Sequence, residues 1–130
     1  MKKFALLVYP EFSLQEVMNL SRLFRWSYDI CTEVISSGMD AVTSEEGISV
    51  LPQKTTDEFD PKDYACLILP GCSDLRAVLQ DRKILDFLRS FAGNDTFPIG
   101  AICSGPLLLA WAGLLKEKKF TASIYMDFFD

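Results

Sequence analysis

Phe97-Pro98-Ile99-Gly100-Ala101-Ile102-Cys103-Ser104-Gly105-Pro106 is the stretch on which the fold turns. An apolar run of strand length, residues 97–102, leads into Cys103, and an almost wholly apolar helix is expected over residues 105–115. A buried strand meeting a helix across a single turn residue, with small residues on either side, has the form of a nucleophile elbow. That turn exposes the side chain it carries and sets the helix N-terminus against it. The helix dipole there favours the thiolate form of a cysteine. A cysteine closing an apolar strand is also an ordinary small core residue, and spacing by itself leaves both readings open.

Working outward, residues 4–9 and 64–69 form two more continuous apolar runs, the pattern of strands buried on both faces of a parallel sheet. Ser13 is a candidate N-cap with Glu16 at capping-box spacing, and Leu14, Val17, Met18, Leu20, Leu23 and Phe24 continue as a helical stripe to about Trp26. Residues 29–36 alternate as a strand, and residues 40–52 read as short strands about Glu46-Gly47, a small hairpin. Residues 55–63 are polar and carry Pro61, which marks a loop or one helical turn. A short helix over 74–79, a longer one over 82–91 and a last strand over 120–125 complete the order. Strands alternating with helices predict an α/β fold, one domain over residues 1–130 with a doubly wound, mainly parallel sheet sandwiched by helices. The chain stops at Met126-Asp127-Phe128-Phe129-Asp130 with no helix left to cover the last expected strand. A bare parallel edge is a liability, so the C-terminal elements are expected to be missing.

Composition narrows the function. With 130 residues, 49 % hydrophobic and 24 % charged, the chain can bury a core without staples. The net charge is −5 and the only basic cluster is Lys116-Glu117-Lys118-Lys119, so a nucleic-acid surface is not expected. The apolar start ends at Pro10-Glu11 without a small-residue cleavage site, and no later run has membrane-spanning length; no membrane partner is expected. Cys31, Cys66, Cys72 and Cys103 show no CxxC spacing and the chain has no histidine, which argues against a zinc site or a disulfide framework and for a reducing, cytoplasmic compartment. Cys31 and Cys66 fall within expected strands as inert core residues.

In open parallel sheets, sites form at the carboxyl ends of strands. Besides Cys103, two segments put chemistry there. Leu69-Pro70-Gly71-Cys72-Ser73 can aim the Cys72 backbone N–H at the cleft, where with the Ser104 N–H it would make an oxyanion hole; alone, it is an ordinary Pro-Gly turn. Glu16 is either a capping-box residue or a carboxyl that hydrogen-bonds the Cys103 sulfur.

Ala101-Ile102-Cys103-Ser104-Gly105-Pro106, Leu69-Pro70-Gly71 and Glu16 together resemble the DJ-1/PfpI superfamily, the ThiJ-like proteins, from Phe4 to about Tyr125. The resemblance implies a flavodoxin-like sheet, Cys103 as the reactive cysteine, Glu16 as its protonated partner carboxyl, and the Cys72 and Ser104 amides as oxyanion donors. It also implies further C-terminal elements, a homodimer, and no metal or organic cofactor. Two departures matter. Many peptidase or hydrolase relatives have a histidine beside the cysteine or downstream, where this chain has Ser104 and Ser123; a Cys-His triad cannot be built from these residues, which argues against peptidase and glutaminase chemistry. Relatives commonly carry a second glycine where Cys72 stands, and a resolving thiol there is the bolder reading of Cys72. The expected activity is attack by Cys103 on a small-molecule electrophile, in a glyoxalase-, deglycase- or hydratase-like reaction with Glu16 as proton carrier. The alternative is a non-catalytic thiol redox sensor. A ligand-sensing domain of a transcription regulator would need a DNA-binding segment not found in this chain.

Overall fold

The computed structural model describes residues 3–123. Its elements are β1 (Lys3–Leu7), α1 (Gln15–Tyr28), β2 (Cys31–Ser36), β3 (Val42–Thr43), β4 (Ser49–Val50), β5 (Lys54–Thr55), β6 (Tyr64–Leu69), α2 (Leu75–Leu79), α3 (Arg82–Arg89), β7 (Ile99–Ala101) and α4 (Gly105–Trp111). Five of the strands form one parallel sheet in the order β5-β2-β1-β6-β7. The chain builds outward from β1 to β2 and β5, then crosses back to β6 and β7. The strand order reverses between β1 and β6, where open sheets of this kind form their cleft.

The two apolar runs lie at the middle of that sheet because neither face of a central strand meets water. Phe4, Ala5, Leu7, Val8, Tyr9, Leu67 and Leu69 are wholly buried. Phe4 meets Phe24 of α1 edge-on at 4.8 Å between ring centroids. Phe59 stacks on Tyr64 at 4.5 Å and meets Phe87 of α3 at 5.1 Å, while Phe91 stacks on Phe97 at 5.3 Å. The hairpin expected over residues 40–52 is the antiparallel β3–β4 pair. Among the described residues no helix is long and apolar enough to cross a membrane.

Local structure departs from the sequence expectations in four places. Ser13 does not cap α1. Its N–H donates to the Gly71 carbonyl at 2.8 Å and its hydroxyl is buried without a partner. The first amides of the helix region, of Leu14 and Gln15, instead donate to the Glu46 carboxylate from the β3–β4 turn at 3.1 and 3.0 Å. The polar stretch 55–63 holds two 3-10 turns where a loop or one helical turn was expected, and its first residue belongs to edge strand β5, which escaped notice because two polar residues show no periodicity. The helix expected over 105–115 ends at Trp111. Gly113 (φ +87°) takes the left-handed position after it, with Gly113 N–H donating to Ala110 and Leu114 N–H to Leu109. Residues 120–123 are not a strand, and the remainder of the strand expected over 120–125 lies outside the described residues.

One buried carboxylate ties four strands near the amino ends of β1 and β6. Glu33 of β2 accepts from Lys3 Nζ at 2.8 Å and from the Tyr64 hydroxyl, with Lys54 Nζ at 3.6 Å. Burial opposes its charge, but the Lys3 and Tyr64 hydrogen bonds and the two lysine charges outweigh burial and hold its pKa below the usual carboxylate value. A native pKa below the unfolded one stabilises the fold above the unfolded value, near 4.3, and that contribution is lost as pH falls through the native value. Glu33→Gln is expected to lower stability by about 1–2 kcal/mol at pH 7. The deficit should shrink toward zero in urea unfolding repeated below the carboxylate range.

Candidate active site

Cys103 leaves β7 in the left-handed region, with φ +57°. For a residue with a Cβ this conformation is strained by roughly 1–2 kcal/mol and persists only where surrounding bonds enforce it. Here they do. Ile102 N–H donates to the Leu69 carbonyl at 3.0 Å, Gly105 N–H to the Ile102 carbonyl at 2.7 Å, and Ser123 N–H to the Cys103 carbonyl at 2.9 Å. The side chain is turned outward, and Cys103 is exposed whereas Cys31, Cys66 and Cys72 are half-buried. This is the elbow expected from the sequence.

Glu16 is not a capping residue. It crosses from the first turn of α1 to the turn after β6, where Oε1 accepts the Gly71 N–H at 2.8 Å. A Cβ built on Gly71 would lie 2.9 Å from Cys103 Cβ, 2.9 Å from Glu16 Oε1 and 3.1 Å from Ser104 Oγ. Three side chains from two segments remote in sequence therefore converge on the bare face of one glycine. Any side chain at position 71 would fill that space.

The expected oxyanion donors differ from each other. The Cys72 N–H donates to Ser104 Oγ at 2.9 Å and so is already engaged, whereas no described residue accepts from the Ser104 N–H. Burial pushes the Cys72 thiol up to about 11, against the opposing pull of the Ser104 hydroxyl and the Asp74 backbone, so it is protonated at neutral pH. Cys72 also faces Phe12 in an antiparallel bridge, flanked by the Ser13 N–H bond to the Gly71 carbonyl and a Ser73 N–H bond to the Glu11 carbonyl at 3.0 Å. The Cys72 thiol is hydrogen-bonded to the Ser104 side chain.

Tyr9 was not picked out in the sequence. It is wholly buried and its hydroxyl donates to the Pro70 carbonyl, holding the turn that carries Gly71. Burial above all, then the neighbouring Cys72 and Glu16, raises its pKa well above the ordinary value and keeps it a donor. A tyrosine closing an otherwise apolar strand just before Pro10 is the only signal that could have flagged it. Among the described residues no group of three or more histidine, cysteine or acidic side chains is placed to hold a metal ion.

An α/β fold with a cysteine elbow beside a carboxylate at the sheet's switch point defines a class, and comparison with known proteins gives the family. The family model of the DJ-1/PfpI family matches residues 2–127, and the chain belongs to that family. Protein/nucleic acid deglycase 2 of Escherichia coli is 31 % identical over 122 residues, covering 93 % of this chain and 70 % of the relative. The isonitrile hydratase of Pseudomonas putida is 30 % identical over 93 residues, covering 72 % of this chain and 40 % of the relative. Deglycase PfpI of Pyrococcus furiosus is 34 % identical over 83 residues, covering 64 % and 49 %. The chain thus spans between 40 and 70 % of the length of these relatives. Among solved structures, a DJ-1 superfamily protein from Agrobacterium tumefaciens superimposes with a TM-score of 0.74 at 23 % identity, covering 88 % of this chain and 60 % of its own. A ThiJ/PfpI family protein from Pseudomonas syringae gives 0.71 at 28 %, covering 89 % and 48 %. The mainly parallel, flavodoxin-like sheet expected from the sequence is the fold of this family.

Gly71→Ala is expected to lower stability by about 1–3 kcal/mol, the ordinary cost of overpacking, and to change the rate of Cys103 alkylation by displacing Glu16. Gly38, with nothing within 4 Å of a built Cβ, serves as the control, and Gly38→Ala should stay near wild type in urea unfolding.

Proposed function

We propose that Cys103 is the nucleophile of a cofactor-independent enzyme acting on small electrophiles, in a glyoxalase-, deglycase- or hydratase-like reaction. The substrate class is an α-ketoaldehyde, a glycated thiol or amine, or an isocyanide. The observation that carries this reading is the approach of Cys103 Cβ and Glu16 Oε1 to one point over Gly71. An exposed cysteine and a carboxyl bordering one space can add to an electrophilic carbon and carry the proton the addition requires. The Ser104 N–H, at the start of α4, is a donor for the oxygen that gains charge. Relatives named a deglycase and an isonitrile hydratase support the substrate class.

Turnover of methylglyoxal tests the proposal. Wild type should turn it over, Cys103→Ala should not, and Glu16→Gln should lose about 10²–10⁴-fold in kcat, the range for a general acid–base group. Absence of multiple turnovers in wild type overturns the enzyme reading. The second reading, a thiol redox sensor, is favoured by one observation, that Cys103 alone of the four cysteines is exposed. Peroxide would take it to the sulfenic acid beside Glu16, and stoichiometric modification without turnover is its signature.

The proposed protein partner is a second copy of the chain. α1 presents Met18, Leu23 and Trp26 to solvent, with Trp26 74 % exposed under the Arg22 guanidinium. Sedimentation at micromolar concentration should give the mass of a dimer, and a monomer would overturn this.

A further inference from the structure

The engaged Cys72 N–H points to a different use of the residue it engages. Ser104 is only 3 % exposed, and its hydroxyl accepts from the Cys72 N–H at 2.9 Å. A hydroxyl has one proton to give and two positions at which to accept. One accepting position is filled by that bond, which is of ordinary length. The hydroxyl proton has two weak acceptors, the Cys72 carbonyl at 3.4 Å, a distance at which hydrogen bonding is weak, and the Cys72 sulfur. The same oxygen borders the point over Gly71 that Cys103 Cβ and Glu16 Oε1 also border. A weakly committed hydroxyl proton thus lies at the space that Cys103 Cβ borders, on an oxygen already polarised by a backbone amide.

We propose that the Ser104 hydroxyl is an oxyanion donor of this site, relaying the Cys72 N–H that the sequence marks for that role. The inference rests on Cys103 being the nucleophile and deepens that reading. As the thiolate sulfur adds to a carbonyl carbon, the S–C bond forms and the π pair of the C=O bond moves onto oxygen. The Ser104 O–H turns from the Cys72 carbonyl to that oxygen, and only its proton has to move. The serine keeps its proton throughout, and the neutralising proton comes from Glu16. A chain of N–H to O–H to oxyanion is strengthened by mutual polarisation of its bonds.

The rival account is that the hydroxyl merely covers the Cys72 N–H, so that removing it uncovers a better backbone donor. The two accounts give opposite signs for Ser104→Ala. The test compares two reagents on the same thiol, followed by mass spectrometry of Cys103. Acylation by p-nitrophenyl acetate passes through a tetrahedral oxyanion. Alkylation by iodoacetamide displaces iodide and forms none.

In Ser104→Ala, acylation of Cys103 is expected to fall about 100-fold, as for loss of one oxyanion donor, with alkylation little changed. Ser104→Thr, which keeps the hydroxyl, should recover most of the acylation rate. Acylation as fast as wild type, or faster, in Ser104→Ala overturns the relay and supports the rival. A parallel fall in alkylation also overturns it, because the serine would then only position Cys103. If wild-type Cys103 acylates no faster than Cys66, the donor and the nucleophile fall together. Fast acylation that depends on Ser104, without methylglyoxal turnover, leaves the relay standing and removes only the proposed enzyme activity.

Discussion

The turn that closes β6 carries Gly71 into a space bounded by the Cβ of Cys103, the carboxylate of Glu16 and the hydroxyl of Ser104, and this close approach organises the site. The missing side chain lets the elbow, the first helix and the turn meet. Two hydrogen bonds from successive amides then lock them, Gly71 N–H to Glu16 across 55 residues and Cys72 N–H to Ser104 across 32. Each satisfies a part-buried backbone donor that would otherwise be costly. The bonds that shape the cleft are thus also bonds the fold requires.

Around this centre the structure is braced on both sides. The segment after β1 is pinned to the β6 turn through the Phe12–Cys72 bridge, and to the hairpin through Glu11 N–H to Thr43 and Glu45 N–H to Phe12. Glu46 of the same hairpin takes the first amides of the α1 region, which fixes the turn of helix that carries Glu16. Tyr9, buried two residues past β1, holds the Pro70 carbonyl. Left-handed conformations at Glu11 and Cys103 are tolerated because their neighbours are bonded on both sides. The Glu33 cluster near the amino ends of β1 and β6 does comparable work with ions.

Much of the fold was legible because central parallel strands are buried on both faces and write themselves as unbroken apolar runs. Residues 64–69 are β6 to the residue, and the elbow follows from a short apolar run ending at Cys103. The hairpin was readable from Glu46-Gly47 between two short strands. Ser13 and Glu16 show where local reading fails. Their spacing is that of a capping box, yet the helix amides bond to Glu46 and Glu16 bonds to Gly71, partners remote in sequence. A local pattern competes with tertiary partners that it cannot register. The two-residue strand β5 left no trace for a simpler reason, since its pairing with β2 is made entirely by backbone.

The sequence by itself determined the alternation of strands and helices, the parallel sheet and the cysteine at its turn, because burial and turn geometry constrain residue type locally. Which amide is engaged and which hydroxyl engages it emerges only from the folded chain. The identity of Cys72 and Ser104 says nothing about one amide pointing into the other's hydroxyl, and a tyrosine before Pro10 does not say which carbonyl its hydroxyl will hold. Those relations depend on distances between segments that are far apart in the chain. They are set when the sheet closes, by packing against a residue with no side chain.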